Sequence, residues 1–201
     1  METRKRNPVS GKEYSMSLRE EILDQATHLY AEKGLKFTMQ DVAEAMHIAK
    51  KTIYHLYPSK ESLLLDLCDT GFAKIHAQKQ AIMEQDIPLA EKLRKVIVAM
   101  PEEYQMLDFR KLEGIGEKYP SVAKSIRKNL ETNWEPTLQL MEEGISTGAL
   151  RSDLSMPVFR MVVTASIESF LSTDGLKEYG ITYHDALDYL ADLLMKGAEA
   201  R

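Results

Sequence analysis

The sequence holds a single cysteine, Cys68, among 201 residues. An internal disulfide is therefore excluded, and the usage fits a reducing compartment. Glycine (10) and proline (7) are sparse and sit at breaks between patterned segments, and no low-complexity tract is present. No apolar run reaches the roughly 18 residues that a membrane-spanning helix needs, so no membrane partner is expected. The opening METRKRNPVSGKEY is basic with no apolar stretch behind it, unlike a secretory signal. Alternating strand patterns with hairpin turns are missing too, and so are internal repeats. What is present, 44% apolar and 28% charged residues, suffices for a buried core. A soluble, cytoplasmic, all-α protein is expected.

The net charge of −5 hides an asymmetry. Residues 1–60 carry 10 Lys/Arg against 8 Asp/Glu, whereas residues 61–201 carry 16 against 23. An acidic protein still binds nucleic acid when its cations gather on one surface, so their placement decides the matter.

Helix signals follow one another along the chain. Ser17 with Glu20 reads as a capping box, followed by Leu18, Ile22, Ala26, Leu29 and Tyr30 at helical spacing and a stop at Gly34. Thr38 with Asp41 opens a short second helix with Val42, Ala43 and Met46 inward. A third short helix runs from Lys50 to Tyr57 and ends before Pro58. Ser59 caps a long fourth. Pro88, Pro120 and Pro157 mark later helix starts, and Thr182 with Asp185 caps the last.

Residues 38–57 thus have the layout of a helix-turn-helix, turning at His47–Ile48. At roughly 100° per residue from Lys50, Tyr54 falls near 40°, Lys51 near 100° and His55 near 140°. Ile53 and Leu56 fall on the opposite side, so one face anchors and the other offers groups that pair with phosphates and base edges. Such a run is equally the pattern of a merely solvated amphipathic helix. Thr38 and Ser59–Lys60, at neighbouring helix N-termini, add candidate phosphate holders.

The stretch KFTMQDVAEAMHIAKKTIYHLYPSKESLL, within residues 17–67, resembles the DNA-binding domain of the TetR family of bacterial transcription regulators. The resemblance rests on Thr38, Val42–Ala43, Thr52-Ile53-Tyr54, Tyr57, Lys60-Glu61 and Leu63, and covers about a quarter of the chain. It implies that Lys50, Lys51, Thr52 and His55 approach bases or nearby phosphates and that Thr38, Tyr54 and Lys60 hold phosphates. Two departures stand out. His47 occupies a position where the family usually has Gly, and Ala49 one where it usually has Ser or Thr. His tolerates a left-handed turn better than most residues, whereas Ala is a poor cap. Arg4, Lys5 and Arg6 read either as a disordered tail or as an arm reaching a minor groove.

The organisation expected is a flexible basic arm (1–16), a helix-turn-helix domain (17–64) and a helical effector-binding and dimerisation domain (65–201). One helix-turn-helix reads only a few base pairs, so a homodimer on a double-stranded, roughly palindromic operator is expected. Val158, Met161, Val162 and Ala165, with Leu187, Leu190, Ala191 and Leu194, form the candidate dimer seam. In the last helix apolar residues, including Ala186, Tyr189 and Leu193, cover more than one face, a surplus that points to a partner. The resemblance also implies an unidentified small-molecule effector, for which Tyr104, Met106, Phe109, Trp134, Met141 and Met161 are the candidate pocket.

Other motifs lack their contexts. Gly144-Ile-Ser146-Thr-Gly148 matches G-x-S-x-G, but that motif works at a strand-to-helix turn and here follows a helix. Gly175 to Gly180 has Ile181 where a phosphate loop needs Lys, and Gly114-Ile-Gly116 follows no strand. His28, His47, His55, His76 and His184 show no metal-ligand spacing. Neither catalytic residues, nor a metal, nor a cofactor is expected. The reading is a ligand-responsive DNA-binding repressor; the alternative is an all-helical ligand-binding or interaction module without sequence-specific DNA binding.

Overall fold

Helix periodicity dominates the fold, and the computed structural model describes residues 11–105, 107, 112, 114–172 and 175–200. The helices are α1 (Gly11–Lys33), α2 (Met39–Ala45), α3 (Lys50–Leu56), α4 (Lys60–Met83), α5 (Leu89–Ile97) and α6 (Glu102–Gln105). They continue as α7 (Ile115–Lys118), α8 (Pro120–Glu131), α9 (Glu135–Thr147), α10 (Met156–Ser172), α11 (Gly175–Glu178) and α12 (Tyr183–Ala198). Among the described residues, β-type pairing is confined to an isolated bridge between Leu150 and Glu199. The chain divides into two compact units between Leu67 and Cys68, inside α4. The predicted arm residues Arg4, Lys5 and Arg6, and the predicted pocket residues Met106 and Phe109, lie outside the described residues.

In the first unit α1 begins at Gly11, so residues 11–16 belong to that helix rather than to an arm. Lys12, Glu13 and Met16 are good helix formers, and they carry the pattern back past Ser17. Gly34, at φ 58°, takes the left-handed conformation that closes α1. Phe37, Val42, Ile53 and Leu63 fill the centre, each at most 1% exposed. Thr38 caps α2 reciprocally: the Asp41 N–H donates to Thr38 Oγ1, and the Thr38 N–H donates to Asp41 Oδ2 at 2.6 Å. Ser59 opens α4 by accepting the Ser62 N–H at 3.1 Å.

The second unit is built around Leu93, Met141, Leu150, Phe159, Val163 and Ala191. A Cβ on Gly144 would stand 2.7 Å from Leu150 and 2.8 Å from Leu89, so the missing side chain lets α9 seat there. Gly148, at φ 74°, caps α9. Both glycines around Ser146 therefore serve packing and helix termination, and Ser146 Oγ donates to the Glu143 carbonyl within the helix. Arg94 ties α5 to α12 through Asp188 (3.0 Å) and Asp192 (2.7 Å).

α12 corrects the predicted seam. Leu187, Leu190 and Ala191 are buried inside their own unit, and Leu194 packs partly buried against the same core. The outward apolar residues of α12 are Tyr189 and Leu193, the latter 72% exposed. The wider of the two apolar stripes turns inward because it alone runs the helix length, from Ala186 to Ala198. On α10 the predicted residues do face outward: Val158, Met161 and Val162 are exposed large side chains, and Ala165 is exposed with them.

Candidate nucleic-acid interface

α2 and α3 meet through a turn in which His47 adopts φ 55°. The His47 N–H donates to the Glu44 carbonyl, and the Ile48 N–H donates to the Ala43 carbonyl at 3.0 Å. Ala49 begins α3 without a side-chain cap, as its missing hydroxyl dictates. The helix is anchored by Ile53, which is fully buried, and it presents Lys50, Lys51, Tyr54 and His55 to solvent, with Thr52 at the flank. Lys50 Nζ lies 5.6 Å from the Tyr54 ring centroid, a cation–π approach that keeps the ammonium over the exposed face. Lys50, Lys51, Tyr54 and His55 are thus all exposed on one short helix.

Two of the predicted phosphate holders are engaged elsewhere. Lys60 Nζ donates to the Leu35 carbonyl at 2.6 Å and to the Phe37 carbonyl, and it sits 4.2 Å from the Phe37 ring centroid. Its ammonium therefore locks the start of α4 to the loop after α1, which corrects its assignment as a phosphate contact. Thr38 is exposed, but its hydroxyl donates to Asp41 Oδ2 at 2.8 Å while accepting the Asp41 N–H. One lone pair of that oxygen remains available.

A positioning network behind α3 escaped the sequence reading. Tyr57, buried at the end of α3, donates its hydroxyl to Asp66 Oδ2 at 2.6 Å. The same carboxylate takes both Arg19 Nε, at 2.8 Å, and Arg19 Nη2. Burial, then the Asp66 carboxylate, pushes the Tyr57 phenol well above its ordinary range, so it stays a neutral donor. The three residues join α1, α3 and α4. Arg19 and Asp66 are 47 positions apart, and no local pattern connects them.

In the second unit the described members of the predicted pocket set, Tyr104, Trp134, Met141 and Met161, occupy different surroundings. Met141 is fully buried in the core, Tyr104 is buried beside Met100 and Leu187, and Met161 is 69% exposed. Trp134 packs on the core edge and donates Nε1–H to the Leu130 carbonyl at 2.9 Å. Core packing and surface presentation divide a set that apolar character alone had grouped. A cleft of about 320 Å³ lies elsewhere, between α8 and α10, with Leu112 and residues 114–116 beside it. Cys68 is partly buried, and burial pushes its thiol up to about 11, so it is a poor nucleophile. Among the described residues, no group of three His, Cys, Asp or Glu side chains has the arrangement of a metal site, and no helix is long and apolar enough to cross a membrane.

Residues 22–67 match the family model described as bacterial regulatory proteins, tetR family. Over 180 residues the chain is 22% identical to YvaF of Bacillus subtilis, described as an HTH-type transcriptional regulator, covering 89% of this chain and 94% of that protein. It is 24% identical to the HTH-type transcriptional repressor KstR2 of Mycolicibacterium smegmatis, covering 73% and 74% of the two chains. The fold is similar to that of the transcriptional regulator FadR from Bacillus subtilis, solved in complex with stearoyl-CoA. There the TM-score is 0.62 at 20% identity, covering 89% of this chain and 98% of that one.

Proposed function

We propose that this chain, whose residues 22–67 match the tetR family model and whose relatives are HTH-type transcriptional regulators, is a cytoplasmic TetR-type repressor that grips a palindromic operator as a homodimer and lets go when a small molecule occupies its second unit. The observation that carries the reading is the exposed Lys50–Lys51–Tyr54–His55 face of α3, set against a fully buried Ile53. A cationic, hydrogen-bonding helix face braced by a second helix is what major-groove reading requires. The repressor sign is supported by the KstR2 relative, a transcriptional repressor. Ligand response is supported by the FadR fold neighbour, which was solved with stearoyl-CoA. Release follows if the effector binds one arrangement of the two reading heads better than the other, since only differential affinity shifts an equilibrium. The outward apolar residues of α10 and α12 supply the surface for dimer formation.

Changing Lys50 and Lys51 together to Ala tests the reading head. We expect operator affinity to fall about 10- to 100-fold and the salt slope to shrink by roughly one per lysine. Operator fragments for this measurement are obtained by selecting bound pieces of the host chromosome, and their two-fold symmetry reports the dimer. A protein that retains no fragment at low ionic strength belongs instead to the alternative class, a helical ligand-binding module without sequence-specific DNA recognition.

A further inference from the structure

Two different kinds of contact hold α3. At its middle Ile53 is fully buried, and burial of an aliphatic side chain has no preferred direction. At its end the Tyr57 N–H closes the last backbone turn on the Ile53 carbonyl at 2.8 Å, while the Tyr57 hydroxyl donates to Asp66 Oδ2 at 2.6 Å. That side-chain bond does have a direction, because a hydrogen bond weakens steeply as its angle opens. Asp66 is itself fixed: both of its oxygens take donors from Arg19 on α1, in the bidentate form that leaves a carboxylate little rotation. Lys60, at the start of α4, is fastened to the Leu35 and Phe37 carbonyls. α1 and α4 together therefore set the frame that receives the phenol. No matching side-chain bond stands at the other end of α3, where Ala49 offers none.

A helix of seven residues is about 10 Å long. A pivot of roughly 10° on Ile53 carries each end about 1 Å, more than a hydrogen bond to a base edge tolerates. We propose that Tyr57, through Asp66 and Arg19, is a positioning residue for base reading, fixing the tilt of α3 and with it the discrimination of operator from other duplexes; this rests on the functional reading above. Tyr57 is buried, so its hydroxyl acts on DNA only through the helix. Lysine ammoniums on flexible stems keep their phosphate contacts through a small tilt, whereas contacts to base edges do not.

The test compares the full-length parent with Tyr57→Phe on the selected operator fragment and on an unrelated duplex of equal length, well below the melting temperature of either protein. Removing that one oxygen is expected to lower operator affinity at least about fivefold, the low end of the cost of one misread base pair. Affinity for the unrelated duplex, and its dependence on salt, stay as in the parent because no phosphate contact is lost. Arg19→Lys, which keeps the charge but not the fork that holds Asp66, gives the same loss of discrimination. It decides the matter if Tyr57→Phe fails to fold. A bond of purely structural value lowers the melting temperature and leaves both affinities unchanged. Preserved discrimination in either folded variant, or equal losses on the two duplexes, overturns this inference and leaves the functional reading in place. A parent that prefers no duplex over another removes the functional reading itself, and this inference with it.

Discussion

Asp41 gathers three donors on one carboxylate: Lys33 Nζ at 2.9 Å, the Thr38 N–H and the Thr38 hydroxyl. The Lys33 ammonium, then the Thr38 groups, hold it down to about 2. A carboxyl depressed in the folded state stabilises that state above its unfolded pKa, near 3.8, and the contribution drains away as pH falls toward the folded value. We predict that Asp41→Asn is less stable than the parent in urea at neutral pH and that the gap closes between about pH 4 and pH 2. The parent's denaturation midpoints, measured across that range, supply the check; a gap independent of pH rules the ionic cap out. The same residue-scale logic separates Lys60 from Lys50 and Lys51. All three are cations on or beside the reading head, but two backbone carbonyls claim Lys60, and only the α3 pair is turned to solvent.

As an element, α3 is a seven-residue helix, far too short to persist alone. It exists because Ile53 is buried beneath it and the Tyr57–Asp66–Arg19 bonds fasten its end. Its start is the weak point, with Ala49 offering nothing to the free N–H groups. Ala49→Ser is predicted to stabilise the protein by about 0.5–1 kcal/mol in urea unfolding, and an unchanged midpoint refutes the capping account. Local signals of this kind were legible beforehand: the Thr38–Asp41 and Thr182–Asp185 boxes form, and His47 takes the left-handed turn. Each depends on residues within one turn. Arg19 with Asp66, or the four helices α5, α9, α10 and α12 that share the core around Leu93, depend on pairings that spacing along one helix does not contain. Helix identity could be read from the chain, but the choice between two apolar stripes of α12 could not. Both have helical period, and only packing against α5 and α10 selects the inward one.

For the whole molecule, that choice decides which surface the proposed homodimer would use. A reading head with one short recognition helix needs a second head about 34 Å away to cover both halves of a palindrome. The surface available for joining them is Val158, Met161, Val162 and Ala165 on α10, with Tyr189 and Leu193 on α12. Two helices from each copy would close this surface as a four-helix bundle. We predict that Met161→Glu with Leu193→Glu leaves helix content and melting nearly unchanged, since both side chains already face water, yet gives monomers by sedimentation. Operator affinity then drops at least about tenfold, because each half-site must be held alone. Leu190→Glu is the contrasting case. Leu190 is buried in its own unit, and a carboxylate there has no partner, so this variant loses folded protein rather than the dimer. Folded monomers from Leu190→Glu, beside an intact dimer from the double variant, would return the seam to the inward stripe and remove the outward one from the assembly.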